Sequence, residues 1–269
     1  MEPPQPRKIA GYGWSPDLPD ARDFLYAAPR VAVTSLPPSV DLRTGFPAPY
    51  DQGQIGSCTA NAIAGAYQFD LEKEHAQDFM PSRLFIYYNE RALEGHVPFD
   101  SGAQIRDGIK SVAKQGVCTE QEWPYDATPA QPDGMFPPGA KEAQQPPPGC
   151  YKDALQHRAS AYLRVAQDLD QLRGCLAVGY PFVFGFTVYE SFESPEVART
   201  GVAPMPTAGE NVLGGHAVVA VGYDDAQQRF TCRNSWGADW GQQGYFTMPY
   251  AYLTENALSS DFWTVRFVT

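Results

Sequence analysis

Three short segments carry side chains that together could perform nucleophilic catalysis. Cys58 ends the segment DQGQIGSC, His216 follows two glycines in GGHAV, and Asn234 begins NSWG. We expect Cys58 in the first turn of a helix, where the helix dipole and unpaired backbone N–H groups favour thiolate over thiol. An imidazole can stabilise that thiolate and later protonate a leaving amine, provided that a third group fixes its ring and tautomer. Asn234 can fix the ring without adding charge.

Each of these residues has an ordinary structural explanation when it is considered alone. A lone Cys is most often a small buried apolar residue, a lone His a core group, and an Asn after a strand a turn residue. The order along the chain argues against chance, because Gln52 precedes Cys58 by six residues and Trp236 follows Asn234 by two. The pattern predicts Cys58 as nucleophile, His216 as general base and acid, and Asn234 as the group that orients the histidine.

The composition excludes several other classes of protein. The chain of 269 residues has 20 basic and 31 acidic residues, a net charge of −11, and no basic cluster that could follow a phosphate backbone. The longest apolar run, Pro181–Val188, is far shorter than the roughly eighteen residues that a membrane span needs. We therefore expect neither nucleic acid nor a membrane as partner. The first residues lack the basic-then-apolar order of a secretory signal, so no compartment is assigned.

Metal and cofactor chemistry is not indicated. The four histidines and five cysteines include no HExxH, HxH or CxxC spacing, so we expect no metal site and no cofactor. His75, His96 and His157 are interpreted as surface or ordinary structural residues, and the pair Asp224-Asp225 as a solvated hairpin turn. Because the number of cysteines is odd, at least one thiol should be free.

The apolar patterns predict an α+β protein with helices first and strands later. Helices are expected at 58–74, 82–93, 103–114 and 169–177, and strands at 182–188, 216–223, 229–233, 244–248 and 262–268. The Pro-rich segment 126–150 is predicted to lack regular structure and to connect a mainly helical lobe, 50–125, to a β-rich lobe, 151–269.

Residues 1–35 form an N-terminal arm without helical or strand periodicity. Its aromatic residues Tyr12, Trp14, Phe24 and Tyr26 are more than a disordered tail usually carries, so we expect the arm to dock on the body of the protein. Residues 36–269 would then form the catalytic domain.

These segments resemble the papain/cathepsin family of cysteine peptidases. The resemblance extends to residues 36–43, which are similar to the mature N-terminus of such enzymes, and to 116–125, so it covers roughly residues 36–250. It implies a papain-like two-lobe fold, a helical lobe plus a β-barrel-like lobe, with Cys58 and His216 facing each other across the cleft. It also implies a peptide or protein substrate, and we expect a monomer.

The resemblance assigns further residues of the site. Gln52 matches the family's oxyanion-hole glutamine, and Trp236 the tryptophan that shields the Asn–His hydrogen bond from water. Two pairs are assigned to substrate binding: Ser101 and Gly102, where the family has a Gly-Gly pair that bonds an extended substrate, and Gly214 and Gly215, which would leave one wall of the adjacent pocket without side chains.

The chain departs from the family pattern in two respects. Ile55 and Thr59 stand where the family has a Cys and an aromatic residue, so the usual disulfide near the nucleophile is absent. Its second partner would align near Phe99, and we expect an apolar contact in its place. The arm is shorter than the usual helical propeptide, which leaves two interpretations: an inhibitory segment across the cleft or a structural strap on the β-rich lobe.

Two other functions use similar residues. A cysteine acyltransferase or transglutaminase-like enzyme shares the order Cys, His, polar residue, but its third member is usually Asp, whereas this chain has Asn234. A non-catalytic papain-like binding module commonly loses the nucleophile, whereas Cys58 is retained. Both alternatives are therefore less well supported than a peptidase.

Overall fold

The computed structural model describes residues 11–29 and 35–268. The helices are α1 Cys58–Lys73, α2 Arg83–Glu94, α3 Ile105–Gln115, α4 Pro148–Ala154, α5 Leu169–Ala177, α6 Pro195–Thr200 and α7 Tyr250–Thr254, with 3-10 turns at Arg43–Gly45, Lys141–Ala143 and Glu190–Glu193. The strands are β1 Leu25–Tyr26, β2 Ser39–Asp41, β3 Ala159–Val165, β4 Phe182–Tyr189, β5 Val212–Asp224, β6 Arg229–Arg233, β7 Tyr245–Pro249 and β8 Ser259–Val268. None of the helices in these two ranges is long and apolar enough to span a membrane.

Helix α1 is the central helix of the fold. Every residue from Cys58 to Leu71 is buried, and most of them are small or apolar, as expected for a helix at the centre of a core. It packs against α2, α3 and the sheet strands β5 and β8. Gly65 permits the close approach to the sheet, because a Cβ at this position would lie 2.7 Å from the guanidinium of Arg233.

The strands form one mixed sheet, and most of them come from the second half of the chain. The strand order is β1-β3-β8-β4-β5-β6-β7, and β2 pairs with the end of β5. In the antiparallel pairing of β4 and β5, His216 lies opposite Phe186, and Asn234 follows the last residue of β6. The two ends of this order, β1 and β7, are not paired with each other, so the described strands form an open sheet rather than a closed barrel.

Two parts of the chain are more regular than the sequence predicts. The segment 126–150 was expected to lack regular structure, but it contains the 3-10 turn Lys141–Ala143 and the start of α4. Pro148 is compatible with α4 because it occupies the first helical turn, where a missing N–H costs no helical hydrogen bond. Strand β3, which the apolar pattern did not predict, pairs with β8 along most of its length.

The arm follows an extended path along the body. Trp14 and Tyr26 are both 7% exposed, as predicted for anchors, whereas Phe24 is 71% exposed and is not an anchor. Leu25 and Tyr26 form strand β1, which pairs in parallel with β3 and adds an edge to the sheet. The parts of the arm at 1–10 and 30–34 lie outside the described residues.

Arg91 joins helix α2 to two loops. Its side chain is fully buried, and it donates hydrogen bonds to the carbonyls of Tyr87 (3.1 Å), Val97 (2.7 Å), Phe99 (3.0 Å) and Glu142 (2.6 Å). The guanidinium carbon also lies 3.9 Å from the centroid of the Tyr87 ring. A single cation therefore fixes both the loop before α3 and the long Pro-rich connection.

We expect Arg91→Ala to lower the free energy of unfolding by about 3–5 kcal/mol, since buried carbonyls lose a charged donor. Chemical denaturation of the purified chain measures this value. Arg199→Ala is the matched control, because Arg199 pairs with Glu196 at the surface (side chains 58% and 68% exposed), where such a pair contributes less than about 1 kcal/mol. Equal losses for the two variants would contradict the assigned role of Arg91.

Candidate active site

Cys58 is the first residue of α1, and the loop before it is held by several hydrogen bonds. The hydroxyl groups of Ser57 and Tyr125 are 2.6 Å apart, and that of Tyr125 donates to the backbone carbonyl of Gln52 at 2.8 Å. The amide of Asn61 donates to the Ser57 carbonyl at 2.9 Å. These contacts fix the turn that delivers the thiol to the start of the helix, as the sequence predicts.

His216 and Asn234 are hydrogen-bonded at the core of the site. Nε2 of His216 lies 2.8 Å from Oδ1 of Asn234, and both residues are buried. The backbone N–H of Ser235 donates to the same Oδ1 at 2.8 Å, which identifies this atom as the acceptor. Nε2 must then carry the proton, so Nδ1 is the nitrogen suited to exchange a proton with a nucleophile.

Trp236 covers this hydrogen bond. Its ring centroid is 5.0 Å from that of His216, with an interplanar angle of 31°, and the residue is 4% exposed. Phe186 contacts the histidine ring edge-on at 5.7 Å. Because water is excluded by these rings, the hydrogen bond between imidazole and amide is stronger than it would be at the surface.

Gln52 is connected to the same segment. Its backbone N–H donates to the carbonyl of Ser235 at 2.9 Å, and its Oε1 accepts from the Ser235 hydroxyl at 2.6 Å. The amide nitrogen Nε2 donates to the carbonyl of Ile55 at 3.0 Å, in the loop that leads to Cys58. The side-chain amide is thus oriented toward the start of α1 rather than toward solvent.

The arm crosses the cleft between the two lobes. The backbone N–H of Trp14 donates to the carbonyl of Gly215 on β5 at 2.9 Å. On the other side, Ala103 donates to the Gly13 carbonyl at 2.8 Å, and Ser15 donates to the Ala103 carbonyl at 3.1 Å. Trp14 and Ala103 form a parallel bridge. The arm is therefore hydrogen-bonded to both lobes at once.

The fit is so close that only glycine can occupy position 13. A Cβ at Gly13 would lie 1.6 Å from the carbonyl oxygen of Gly56, and a Cβ at Gly102 would lie 2.1 Å from that of Gly13. Gly102, predicted to bind substrate, thus contacts the arm. The neighbouring Ser101 is exposed, and its hydroxyl donates to the Gly102 carbonyl at 3.0 Å.

Tyr12 occupies the position beside the histidine. Its ring lies edge-on to His216 with centroids 6.0 Å apart, and its hydroxyl donates to the carboxylate of Glu193. A Cβ at Gly214 would lie 2.6 Å from Cβ of Tyr12, so the glycine pair before His216 also accommodates the arm.

Burial raises the pKa of the Cys58 thiol to about 12, although the backbone N–H groups of Ala217 and Gly13 hydrogen-bond the sulfur and act in the opposite direction. In this docked state burial therefore opposes the thiolate that the helix N-terminus was predicted to favour. The contact with Ala217 brings the thiol next to the residue that follows His216.

Asp100 is a part of the site that the sequence did not identify. Its carboxylate accepts from the backbone N–H of Gly56 at 2.9 and 3.0 Å and from the hydroxyl of Tyr87, while burial raises its pKa. This contact joins the two loops that the absent disulfide would join. The expected apolar substitute is not seen at Phe99, which is 41% exposed. The sequence signal that could have identified Asp100 is its place directly after Phe99, near which the second cysteine of the absent disulfide would align.

The five cysteines are free thiols. Residues 11–29 and 35–268 include no group of three or more His, Cys, Asp or Glu side chains that could hold a metal ion. The described site brings together a thiol, an imidazole and two side-chain amides.

Comparisons with other sequences identify relatives. The family profile described as papain family cysteine protease matches residues 36–261. An uncharacterized peptidase C1-like protein of Acanthamoeba polyphaga mimivirus is 41% identical over 283 residues, covering 96% of this chain and 87% of that protein. The cathepsin B-like protein CP3 of Giardia intestinalis is 30% identical over 240 residues, covering 82% and 72%.

Solved structures share the fold. Xylellain, a cysteine protease from Xylella fastidiosa, is 52% identical with a TM-score of 0.92, and the alignment covers 98% of both chains. The digestive procathepsin L 3 of Tenebrio molitor larval midgut is 19% identical with a TM-score of 0.67, covering 91% of this chain and 74% of that one, and is similar in fold alone. The papain/cathepsin resemblance and the predicted two-lobe fold are confirmed.

We expect Asp100→Ala to lower the free energy of unfolding by about 2 kcal/mol, because the buried N–H of Gly56 loses its acceptor. Asp100→Asn should cost less, since its amide oxygen can still accept from Gly56. Both values follow from chemical denaturation. If the two variants are equally destabilised, the carboxylate charge rather than the hydrogen bond to Gly56 joins the loops.

Proposed function

This chain belongs to the papain family of cysteine proteases, and from that membership we propose that it hydrolyses peptide bonds through a thioester on Cys58. The observation that supports this most strongly is the 2.8 Å hydrogen bond between His216 and Asn234 under Trp236. It fixes the tautomer that a general base next to a thiol requires.

The first half of the reaction is acylation. His216 holds the proton of the Cys58 thiol at Nδ1, and the sulfur attacks the carbonyl carbon of the scissile peptide bond. The tetrahedral intermediate collapses when His216 gives this proton to the leaving amine. The C–N bond breaks and a thioester remains on Cys58. In the second half, His216 accepts a proton from water, which attacks the thioester and releases the acid.

The negative oxygen of each tetrahedral intermediate is stabilised by two donors. One is the backbone N–H of Cys58 at the start of α1, where the helix dipole is positive. The other is Nε2 of Gln52, whose orientation is supported by the hydrogen bonds from Ser235 to Oε1 and from Nε2 to Ile55. Such preorganised donors contribute because they need no reorganisation during the reaction.

The chain with its arm docked is a latent form of this enzyme. The backbone N–H of Gly13 contacts the sulfur of Cys58, and the arm is hydrogen-bonded to Gly215 and Ala103 on the two walls, so it occupies the cleft that a substrate would need. The raised pKa of the Cys58 thiol also keeps the docked chain latent, because little thiolate forms at neutral pH. We therefore propose that the arm inhibits, and that its pairing with β3 also makes it a strap.

Substrate hydrolysis then requires the arm to leave the cleft. Gly102, Gly214 and Gly215 would bind the backbone of an extended peptide in place of Gly13 and Trp14. Ser101 would lie at the rim of the same groove. We propose a peptide or protein substrate and a monomeric enzyme that acts on it without a cofactor.

Trp14→Ala should increase labelling of Cys58 by an epoxide thiol inhibitor at least ten-fold, because loss of a buried indole weakens docking of the arm by about 3 kcal/mol or more. Mass spectrometry of peptides measures the rate and the site. Phe24→Ala is the control, since that aromatic residue of the arm is 71% exposed and should leave labelling unchanged. A rate equal to the parent's in Trp14→Ala would show that the arm does not inhibit.

In the Trp14→Ala background, we expect Cys58→Ala to abolish hydrolysis of a fluorogenic peptide. Gln52→Ala should lower kcat by about 10²–10³, the usual effect of removing one oxyanion donor. Steady-state kinetics measure both, and circular dichroism verifies folding. If Cys58 is neither labelled nor needed for turnover in any variant, the chain is a non-catalytic member of the family.

A further inference from the structure

The side chain of Trp14 fills a pocket of the cleft, which we call the indole pocket, lined by Gly185, Gly215 and Asp261. The backbone N–H of Trp14 donates to the Gly215 carbonyl at 2.9 Å, and the N–H of the preceding residue contacts the sulfur of Cys58. The indole itself is buried. A peptide that replaces the arm in this groove therefore meets the indole pocket with a side chain close to its scissile bond.

Two glycines on neighbouring strands form the walls of the indole pocket. A Cβ at Gly185 of β4 would lie 1.9 Å from Cε2 of Trp14, and a Cβ at Gly215 of β5 would lie 2.6 Å from Cε3. The three atoms nearest to a Cβ at Gly185 all belong to the Trp14 ring. Neither glycine has a positive φ, so the backbone does not require glycine at these positions. Their missing side chains instead make room for a ring as large as indole.

Asp261 of β8 forms the end of the indole pocket, and its side chain is completely buried. Its Oδ2 accepts from the indole N–H of Trp14 at 3.1 Å and from the backbone N–H of Asp17 at 2.9 Å. Its Oδ1 accepts from Nη2 of Arg164 at 3.0 Å. Both of these donors to Oδ2 belong to the arm. When the arm leaves, Oδ2 faces the emptied pocket while Oδ1 keeps its partner.

The backbone of β8 is distorted where Asp261 lies. The pairing of β4 with β8 shifts register between Val183, which is opposite Trp263, and Gly185, which is opposite Ser260. Two residues of β8 thus face one residue of β4, an arrangement known as a β-bulge, and Asp261 has a φ of 59°. Bulges redirect side chains, and a non-glycine residue with positive φ is strained. The distortion turns a buried carboxylate toward the cleft.

The carboxylate makes the indole pocket selective among aromatic side chains. A phenylalanine ring would fit between the glycines but would bring no donor to Oδ2 of Asp261, which would leave a buried acceptor unpaired. A site built to hydrogen-bond a donor rejects the analogue that lacks it far more strongly than apolar contacts alone can. An aromatic ring with an N–H group at its edge satisfies both the walls and the end of the pocket.

A cationic side chain is a poorer match for the indole pocket. The charge of Asp261 is already paired with Arg164. Arg106 lies close to Arg164, because both guanidinium groups contact Oδ1 of Asp17, at 2.9 and 2.7 Å. Once Asp17 has left with the arm, an arginine or lysine of a substrate would enter beside two cations. A neutral donor avoids this repulsion.

We propose that the indole pocket selects peptide substrates with a tryptophan side chain, whose N–H donates to Oδ2 of Asp261 in place of Trp14. The proposal rests on the protease function proposed above and names its substrate class. Asp261 is then a specificity-determining residue, and Trp14 of the arm occupies the place of the side chain that the enzyme selects.

The test compares peptides that differ in one side chain, using the full-length chain with Trp14→Ala, which empties the indole pocket. Fluorogenic peptides carry tryptophan, benzothienylalanine, phenylalanine or arginine at each position on the acyl side of the scissile bond in turn. In benzothienylalanine a sulfur replaces the indole N–H. At the position that enters the pocket, we expect kcat/KM for tryptophan to exceed that for benzothienylalanine by about ten-fold or more. Phenylalanine and arginine should also be cleaved less efficiently than tryptophan.

Two variants of the indole pocket are added to this background. Asp261→Asn should remove most of the difference, because one amide oxygen cannot accept from both Arg164 and the indole, and Asn tolerates the positive φ. Gly185→Ala should lower kcat/KM for tryptophan peptides by about ten-fold through overpacking and leave alanine peptides unaffected. Asp170→Asn is the matched control, since the side chain of Asp170 is 55% exposed on α5, and it should keep the preference.

The outcomes separate this proposal from the proposed catalysis. Equal cleavage of tryptophan and benzothienylalanine peptides at every position, a preference for arginine, or a tryptophan preference unchanged in both Asp261→Asn and Gly185→Ala overturns the proposed selectivity. If no peptide is cleaved, calorimetry measures binding of the same peptides to the chain with Cys58→Ala and Trp14→Ala. Tighter binding of the tryptophan peptide then supports the indole pocket while the protease function fails, and equal or absent binding overturns both.

Discussion

The packing of helix α1 against strand β5 is the constraint on which the cleft depends. Cys58 belongs to the helix and His216 to the strand, so their separation is set by how closely the two elements approach. Small residues along α1 allow that approach, and the helix is buried along almost its entire length. The contact between the Cys58 sulfur and the N–H of Ala217 is the local result. A side chain at Gly65 would meet the guanidinium of Arg233, the residue that directly precedes Asn234.

The arm uses the surfaces that this packing creates. It pairs with both walls of the groove through its backbone, and its side chains reach three different elements of the β-rich lobe and α3. Such a segment needs no fold of its own, because the hydrogen bonds of its backbone are completed by the body. This explains how a segment without helical or strand periodicity can be well placed. It also explains why glycines line the groove, since a side chain at Gly102 or Gly215 would exclude the arm.

Much of the site could be predicted from the sequence because its members have rare types in a fixed order. Cys58 begins α1, His216 lies on β5 and Asn234 follows β6, and the predicted helices and most predicted strands begin and end within a few residues of their expected positions. The route of the arm could not be predicted. Its contacts join residues far apart in the chain, such as Trp14 and Asp261, which are separated by 247 positions. Local periodicity contains no information about such pairs.

Two further features were hidden for related reasons. The role of Asp100 could not be predicted, because an acid in a loop is normally solvated. Its carboxylate has a buried partner here because the fold places the backbone N–H of Gly56 beside it. The thiolate was predicted from the helix N-terminus and the imidazole, whereas burial is the largest influence on the pKa of the thiol. In both cases a long-range contact reversed the expectation based on the neighbouring sequence.

The covalent attachment of the arm has a consequence for how inhibition responds to concentration. A separate inhibitor dissociates on dilution, whereas a tethered segment meets its own cleft at an effective concentration set by the connecting chain, in the millimolar range for short flexible links. Occupancy of the cleft is then the same in a dilute and in a crowded solution. A competing peptide displaces the arm only when its concentration, multiplied by the ratio of its affinity for the cleft to that of the arm, exceeds this effective concentration. Under the inhibition proposed for the arm, substrate abundance is therefore a weak activator, and a change in the arm's own affinity for the cleft is a strong one.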